Sequence, residues 1–294
     1  MKTITIIGAN GFIGKYMYKY FRSKLKDLFF IKGTCYSEKT NKELKFLDVT
    51  DKKNLEKFFI QNKSDFIIWL SGAKDVKLCE KDYEYAYKLN TEPIANAIQI
   101  MTHRNIKSQL IFFSSDYVFD GRKGQYKDTD EPNPKTNYGK TKYLTEQLLL
   151  NSNINYRIIR TCAVMAKGSV FFDWILHELR NKKEINVFAN IFFSPTPMQF
   201  LNDMLAKIIL NDNELKQKII HISGGKRLSR FEFVKLISNF IKEPHALVSP
   251  ENIDFNKSTF QKDLSLIPSD FVKLNKKHSF EDYIEQEIKN DKKN

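Results

Sequence analysis

The glycine-rich segment "GANGFIG" near the start of the chain constrains the fold more than any other feature. Gly8, Gly11 and Gly14 directly follow the β-branched run "TITII", and a helical pattern, "GKYMYKYFRSKL", begins at the last glycine. Such glycines permit a tight strand-to-helix turn and let the backbone approach a pyrophosphate at the helix N-terminus. The sequence therefore predicts an α/β fold that opens with a dinucleotide site. Three neighbouring residues complete its candidate contacts: Asn10, Phe12 and Ile13.

Short apolar runs alternate with amphipathic stretches through the first half of the chain. Strands are predicted at "KTITIIGA", "FFIKGTCY", "KFLDV", "DFIIWLSG", "QLIFFSS" and "NYRIIRTC". Helices are predicted at "TDKKNLEKFFIQN" and "YGKTKYLTEQLLLNS", with one long helix at "DYEYAYKLNTEPIANAIQIMTHRN". Strands that alternate with helices of this length indicate βαβ units. We therefore expect a doubly wound parallel sheet, a Rossmann fold.

The alternation stops after Cys162, where apolar segments follow one another irregularly and are joined by Pro- and Gly-containing stretches. This change predicts a nucleotide-binding domain over residues 1–162 and a smaller substrate-binding lobe over 163–294. Segments near residues 194–225 are expected to return to the first domain. No low-complexity linker separates the two parts, so the boundary is approximate.

Composition indicates a soluble globular protein of the cytoplasm. The chain is 41% hydrophobic and 28% charged, and it contains three widely spaced cysteines. It has no apolar run of the roughly 18 residues needed to cross a bilayer, and no signal peptide is recognisable at its start. The net charge of +13 comes from lysines scattered along the chain, which favours a solvated surface over a nucleic-acid site. Such a field would attract an anionic small substrate.

A tyrosine and a lysine four residues apart, Tyr138 and Lys142, open the predicted helix "YGKTKYLTE". Residues at i and i+4 share one face of a helix. This spacing alone is weak evidence in a lysine-rich chain. Its position is more informative, because the helix follows the fifth predicted strand, which ends in "FFSS" and carries Ser115.

The spacing Gly-x-x-Gly-x-x-Gly, with a serine at the end of the fifth strand and Tyr-x-x-x-Lys on the next helix, resembles the extended short-chain dehydrogenase/reductase family. "SSDYVFDG" followed by "EPNPKTNYGKTKYLTE" is similar to the dTDP-4-dehydrorhamnose reductase group within it, and so are "IIRTCAVMA", "FSPTPMQFLNDMLAKII" and "IIHISGG". The resemblance extends from residue 1 to about 225. It implies reduction of a keto group on a nucleotide-activated deoxysugar during the synthesis of surface polysaccharide.

The resemblance assigns catalytic roles to Ser115, Tyr138 and Lys142. Tyr138 would protonate the carbonyl oxygen as hydride reaches the carbon, and Ser115 would polarise that oxygen. An unperturbed tyrosine pKa of about 10 is too high for efficient acid–base chemistry at neutral pH. The ammonium of Lys142 is therefore expected to lower the pKa of Tyr138, and it would also bind the nicotinamide ribose.

The resemblance also implies cofactor contacts along the ends of the strands. They are Asp48, Val49, Ser71, Gly72, Ala73, Asn90 and Ser114, together with Tyr138 and Lys142. After the second strand, "GTCYSEKT" offers Ser37 and Lys39 where an NAD site usually has an acid about 20 residues beyond the glycines. Hydroxyl groups and a lysine suit a 2′-phosphate, so NADPH is favoured, with NADH as the alternative.

Substrate contacts are expected from both parts of the chain. The candidates are Lys74, Ser115, Asp116, Tyr117, Phe119, Tyr138, Arg160, Ser194 and Pro195. An arginine at a strand end is as often structural, which leaves the role of Arg160 open. "SGAKDVK" departs from the family pattern after strand four, and the usual C-terminal Arg-Pro element is missing. The sugar and its carrier therefore stay open.

Two other functions remain as alternatives. An epimerase of the same superfamily uses the same residues, whereas a dehydratase is disfavoured because Tyr117 replaces the glutamate that usually follows the aspartate. The regulatory subunit of methionine adenosyltransferase resembles the same reductase group, so a non-catalytic NADP-binding role is the second alternative. The five histidines have no metal-ligand spacing, which predicts no metal. The oligomeric state is open, a homodimer included.

Overall fold

The computed structural model describes residues 1–36, 43–73, 75–241, 247–258 and 260–292. The strands within these ranges are β1 (Lys2–Ile7), β2 (Phe29–Cys35), β3 (Lys45–Phe46), β4 (Phe66–Trp69), β5 (Gln109–Ser115), β6 (Tyr156–Thr161), β7 (Val164–Met165), β8 (Ile185–Phe188), β9 (Phe192–Phe193), β10 (Thr196–Pro197), β11 (Ile219–Ile222), β12 (Leu228–Ser229) and β13 (Val248–Glu251).

The α-helices are α1 (Phe12–Lys24), α2 (Lys52–Gln61), α3 (Val76–Lys81), α4 (Tyr83–Asn90), α5 (Glu92–His103), α6 (Asn137–Leu150), α7 (Val170–Arg180), α8 (Met198–Leu210), α9 (Arg230–Ile241), α10 (Asp270–Leu274) and α11 (Phe280–Lys292). Short 3₁₀ helices span Asp116–Val118 and Phe255–Lys257. None of these described helices is long and apolar enough to span a membrane.

A parallel sheet of seven strands, in the order β11-β6-β5-β4-β1-β2-β3, forms the centre of the fold. β1 pairs in parallel with both β2 and β4, and β4 pairs in parallel with β5. The chain leaves β1 towards β2 and later returns to β4 on the other side of β1. The crevice at such a reversal of strand order, at the carboxyl ends of the strands, is where ligands bind in open α/β sheets. The predicted fold class is confirmed.

Both faces of the central sheet are buried, which explains the uninterrupted apolar runs in its strands. Ile7, Ile67 and Leu110 belong to a core cluster that also contains Leu55 of α2 and Ile100 of α5. Alternate residues of a strand point to opposite faces. The intervening positions Ile4, Ile6, Ile68 and Ile111 are equally buried. Apolar packing therefore covers the sheet on each side.

The chain divides into two compact units. Unit 1 comprises residues 1–118, 132–160 and 212–220, and unit 2 comprises residues 119–131, 161–211 and 221–294. The boundary expected after residue 162 falls close to the end of the second segment of unit 1. Of the range 194–225, only residues 212–220 belong to unit 1. Residues 119–131 join unit 2, which the sequence analysis did not anticipate.

The long helix predicted for "DYEYAYKLNTEPIANAIQIMTHRN" is wrong in one respect, because the structure has two helices there. α4 ends at Asn90, and α5 begins at Glu92 with Pro93 in its first turn. Proline has no N–H to continue the hydrogen-bond ladder, and it fits only the first turn of a helix. α3, which Asp75 caps by accepting a hydrogen bond from the Leu78 N–H, was also not predicted.

Candidate functional site

The glycine turn has the geometry that its sequence predicts. Gly8 adopts φ = 85°, a left-handed conformation that glycine adopts without steric cost. A Cβ at Gly14 would overlap the carbonyl oxygen of Gly8, and a Cβ at Gly8 would lie 3.0 Å from the backbone nitrogen of Ser71. Glycine is therefore required for the first turn of α1 to pack this closely on the end of β1.

The N-terminus of α1 suits a phosphate group. Gly11 is its N-cap residue, no side chain caps the helix, and its first turn contains no acidic residue. The free N–H groups and the helix dipole favour an anion at such a terminus. Asn10 is exposed beside this turn, whereas Phe12 and Ile13 are half-buried in the first turn of the helix.

A cleft of about 750 Å³ lies beside the glycine turn, and its wall is basic. Ala9 and Asn10 line one end, and Lys15, Lys19 and Arg22 of α1 line its length. These three side chains are not among the cofactor contacts predicted from the sequence. Their signal was present, because positions i, i+4 and i+7 place them on one face of the helix.

Four of the predicted cofactor contacts follow β2 and β3 along the chain, and the structure describes two of them. Ser37 and Lys39 lie outside the described residues. Asp48 accepts hydrogen bonds from the backbone N–H and hydroxyl of Thr50, at 2.9 and 2.7 Å, which fixes a local turn. Val49 is buried in the core beside α2. Asp48 is therefore near a strand end as expected, while the side chain of Val49 serves packing.

The loop after β4 is held by Asn90, which is almost completely buried. The Asn90 side-chain oxygen accepts a hydrogen bond from the Ala73 N–H at 2.9 Å, and its amide donates to the Thr141 hydroxyl at 3.1 Å. A Cβ at Gly72 would lie 2.7 Å from the same oxygen. Asn90 thus joins the loop 71–73 to helix α6, and Lys74 of this loop lies outside the described residues.

Ser115, Tyr138 and Lys142 belong to two adjacent elements of unit 1. Ser115 is the last residue of β5, and Tyr138 is in the first turn of α6. Thr136 begins this helix by accepting a hydrogen bond from the Gly139 N–H at 3.0 Å. A Cβ at Gly139 would overlap the carbonyl oxygen of Tyr117. Glycine at this position lets α6 approach the 3₁₀ helix that follows β5.

Lys142 is buried and its ammonium is held in one place. Its Nζ donates to the carbonyl oxygen of Phe113 at 3.0 Å and lies 4.8 Å from the centroid of the Phe112 ring. The same nitrogen lies 5.9 Å from the centroid of the Tyr138 ring. Burial lowers the pKa of Lys142 to about 8, although the charges of Glu146 and Cys79 act in the opposite direction.

The pKa of Tyr138 is raised, whereas the sequence analysis expected Lys142 to lower it. Burial is the largest cause, and the negative charge of Asp116 is the second. A hydrogen bond with Ser115 opposes both. At 5.9 Å from the ring, the ammonium of Lys142 does not offset the burial. In the protein by itself, the phenol is therefore held in its protonated form.

The Ser115 hydroxyl donates to the carboxylate of Asp116 at 2.7 Å. Tyr117 packs edge-on against Tyr138 with ring centroids 5.6 Å apart. These four residues therefore form one cluster at the carboxyl end of β5. Ser114 is buried beside them, and its hydroxyl has no hydrogen-bond partner in the described part of the chain.

Arg160 and Glu146 form a buried ion pair in unit 1. The Arg160 Nε lies 3.0 Å from Glu146 Oε1 and its Nη2 lies 2.6 Å from Oε2. The two side chains are 2% and 0% exposed. This geometry favours the structural role for Arg160 over contact with a substrate phosphate, because its guanidinium faces a protein carboxylate and is closed to solvent.

The three remaining substrate candidates lie in unit 2. Phe119 is fully buried and stacks on Tyr126 with ring centroids 4.2 Å apart. The Ser194 hydroxyl donates to the carbonyl of Leu266 and accepts from its N–H, both at 3.2 Å. Pro195 is buried next to it. Packing and backbone pairing account for these side chains, so their placement does not favour the ligand contacts expected from the sequence.

The residues present fit a dinucleotide. The turn and uncapped N-terminus of α1, the basic cleft beside them, and the Ser114 hydroxyl all lie in unit 1. Phosphate, ribose and amide groups would satisfy these donors and acceptors. The described residues contain no group of three His, Cys, Asp or Glu side chains that could hold a metal ion.

Comparisons with known proteins identify relatives of this chain. The family described as "RmlD substrate binding domain" matches residues 1–262. The chain is 28% identical over 217 residues to the spore coat polysaccharide biosynthesis protein SpsK of Bacillus subtilis, covering 73% of this chain and 75% of that protein. It is 24% identical over 253 residues to methionine adenosyltransferase 2 subunit beta of Xenopus tropicalis, covering 83% and 74% of the two chains.

A solved structure extends the similarity to the whole fold. It is the dTDP-4-dehydrorhamnose reductase of Bacillus anthracis in complex with NADP, which superposes with a TM-score of 0.84 at 24% identity. The match covers 99% of this chain and all of the other. At this identity the likeness establishes the fold.

Proposed function

The chain belongs to the family of the RmlD substrate binding domain, within the extended short-chain dehydrogenases/reductases, and we propose that it is an NADPH-dependent reductase of a keto group on a nucleotide-activated deoxysugar. The proposal is supported by a relative in polysaccharide biosynthesis and by a structural neighbour that is a dTDP-4-dehydrorhamnose reductase bound to NADP. The proposal names the class of substrate and specifies neither the sugar nor its nucleotide carrier.

One observation carries the proposal: a tyrosine, a serine hydroxyl and a buried lysine lie together at the carboxyl end of the central sheet. Bound NADPH would supply a hydride to the carbonyl carbon. Tyr138 would give its phenolic proton to the carbonyl oxygen, so that a ketone, a hydride and a proton become an alcohol. Ser115 would orient that oxygen, where charge develops in the transition state.

The state of Tyr138 favours reduction over the alternatives that begin with oxidation. Adding hydride to a ketone requires an acid, whereas removing hydride from an alcohol requires a base. In the protein by itself, burial and the Asp116 carboxylate raise the pKa of Tyr138, which is the direction that an acid requires. An epimerase that starts from an alcohol would need the phenolate first.

NADPH is supported by the charge beside the glycine turn. Lys15 and Lys19 line the cleft next to Asn10, together with Arg22, whose guanidinium pairs with the Glu43 carboxylate of the same cleft. The two lysines supply positive charge that suits a 2′-phosphate. The lysine at residue 39 remains a candidate for the same group.

A panel of substrates tests the proposal. The consumption of NADPH is followed by absorbance while 4-keto-6-deoxy sugars on dTDP, UDP, GDP and CDP carriers are supplied. We expect turnover with at least one carrier, and a loss of about 100-fold or more in Tyr138→Phe, because general acid catalysis contributes on this order. Tyr143→Phe, one turn further along α6, is the matched control and should retain activity.

Two results would contradict the proposal. Tight NADPH binding without turnover on any carrier would favour a binding subunit, the function suggested by the similarity to methionine adenosyltransferase 2 subunit beta. Conversion of an alcohol sugar to its epimer without net NADPH consumption would favour an epimerase. The presence of Ser115, Tyr138 and Lys142 together supports catalysis over a binding role.

A further inference from the structure

Beneath the lysine of the proposed site lies a buried ion pair that the proposed mechanism does not use. Glu146 is on α6, and Arg160 is on β6 next to β5 in the sheet. Two hydrogen bonds, of 3.0 and 2.6 Å, join the guanidinium to both carboxylate oxygens. Because the contact is bidentate and closed to solvent, it fixes the direction of the carboxylate.

Glu146 is placed to act on Lys142. The two residues are four apart on α6, so they lie on one face of the helix, about 6 Å apart at their Cβ atoms. The other groups that face Lys142 are the ring of Phe112, the Phe113 carbonyl, Tyr138 and the thiol of Cys79. Of these neighbours, Glu146 has the larger electrostatic effect in favour of an ammonium ion, and Cys79 has a smaller one in the same direction.

Stability alone does not account for this pair. Two well-packed apolar side chains often replace a buried ion pair with equal or greater stability, because burying the charges costs as much as their attraction returns. The buried lysine meanwhile needs a negative partner. Burial alone lowers its pKa, and a neutral amine would neither stabilise a developing phenolate nor donate all its protons to ribose hydroxyls.

We propose that Glu146 is a positioning residue for Lys142: its carboxylate, held by Arg160, keeps the lysine ammonium charged at neutral pH. The inference deepens the proposed function and rests on it for the role of the charged lysine. The charge state itself is a property of the protein, and it can be measured without cofactor or substrate.

The titration of Lys142 is the direct test. Lysine labelled with ¹³C at Cε is followed by NMR as a function of pH, and the Lys142 signal is identified by its loss in Lys142→Met. In the wild type we expect a midpoint near pH 8. In Glu146→Gln, we expect the midpoint to fall by about 1 pH unit or more, since an attractive charge is lost while Arg160 remains.

Two further variants separate charge from folding. Glu146→Leu combined with Arg160→Met removes both buried charges and leaves an apolar pair, so the fold should be kept. The Lys142 midpoint should fall less than in Glu146→Gln, because the cation of Arg160 is lost together with the carboxylate. Asp212→Asn is the matched control, because Asp212 pairs with Arg157 of the same strand at 2.6 Å, and Arg157 is also buried. This variant disturbs a buried arginine without changing the surroundings of Lys142, so the titration midpoint of Lys142 should match that of the wild type.

The outcomes distinguish this inference from the proposed function. An unchanged Lys142 midpoint in folded Glu146→Gln would overturn the inference, whatever the enzyme does. The dissociation constant of NADPH, measured by fluorescence across the same pH range, tests whether the charge of Lys142 contributes to cofactor binding. We expect affinity to weaken as Lys142 loses its proton, at a lower pH in Glu146→Gln. A shifted midpoint in a protein that binds no NADPH would retain the inference and reject the proposed function.

Discussion

Gly14 is the glycine of the motif that the backbone geometry requires most strictly. A Cβ there would overlap the Gly8 carbonyl oxygen, whereas a Cβ at Gly11 would lie 3.2 Å from that oxygen. Gly11 also has an ordinary φ of −70°. The three glycines of the motif are therefore unequal. Gly14 serves close packing, Gly8 serves a left-handed turn, and Gly11 is closest to being replaceable.

Alanine substitutions test this ranking. Gly14→Ala forces α1 away from the end of β1, so we expect a loss of about 1–3 kcal/mol in the free energy of unfolding, as for an overpacked core position. NADPH affinity should fall with it. Gly11→Ala is the control and should cost less. Urea unfolding and fluorescence titration measure both quantities, and equal effects in the two variants would refute the ranking.

Asn90 tests the link between the loop 71–73 and α6. Asn90→Ala leaves the Ala73 N–H without its acceptor and removes one of two hydrogen bonds of the Thr141 hydroxyl, which still donates to the Tyr138 carbonyl. We therefore expect a loss of about 1–3 kcal/mol in the free energy of unfolding. Asn151→Ala, which removes an exposed capping amide at the end of α6, should cost no more than about 0.5 kcal/mol. Chemical denaturation compares them, and a similar small cost in both would argue against the link.

At the scale of elements, helix α11 is attached to α8 by a buried glutamate. The Glu287 carboxylate of α11 accepts a hydrogen bond from the Gln199 N–H in the first turn of α8 at 2.7 Å. Burial nevertheless raises the pKa of Glu287 to about 7. A tyrosine one turn earlier, Tyr283, donates to Asp203 of α8 at 3.1 Å. These polar contacts fix how α11 lies against α8.

The raised pKa of Glu287 predicts a pH-dependent stability. The folded protein binds this proton more tightly than the unfolded chain, whose glutamate pKa is about 4.3. The contribution to the free energy of unfolding is therefore fully present below about pH 4 and is lost as pH rises through about 7. Urea unfolding at several pH values should show it as about 4 kcal/mol at most.

Glu287→Gln should flatten this dependence, because a glutamine does not titrate. Glu285→Gln is the matched control, since Glu285 is an exposed residue of the same helix that pairs with Lys289. This control should leave the pH dependence of unfolding as it is in the wild type. The same slope in Glu287→Gln would show that another group is responsible.

At the scale of the molecule, the formal charge of +13 concerns encounter with ligands. A positive field speeds the association of anions, and salt screens it. We expect the association rate constant of NADPH, measured by stopped flow, to fall about tenfold between about 0.05 and 0.5 M salt. Adenosine, which is uncharged, serves as the control ligand. Equal salt dependence for the two ligands would exclude electrostatic steering as the cause of the change in the association rate constant.

Much of the fold could be predicted because its determinants are local. The glycine spacing, the apolar strands and the helical periodicity between them concern residues close together in the chain, and they gave the parallel sheet correctly. The Tyr138–Lys142 pair could be found for the same reason, since i, i+4 spacing fixes a shared helix face. Ser115 could be predicted beside this pair because the end of a strand in such a fold lies close to the start of the next helix.

The sequence by itself therefore determined the sheet, the glycine turn and the residues at the end of β5. Only the tertiary structure decided which charged and aromatic side chains are closed to solvent. Arg160 meets Glu146, Ser194 meets Leu266, and residues 119–131 join unit 2. Burial and ion pairing depend on neighbours brought together by folding from distant parts of the chain. No local pattern distinguishes an arginine that binds a phosphate from one that faces a buried carboxylate.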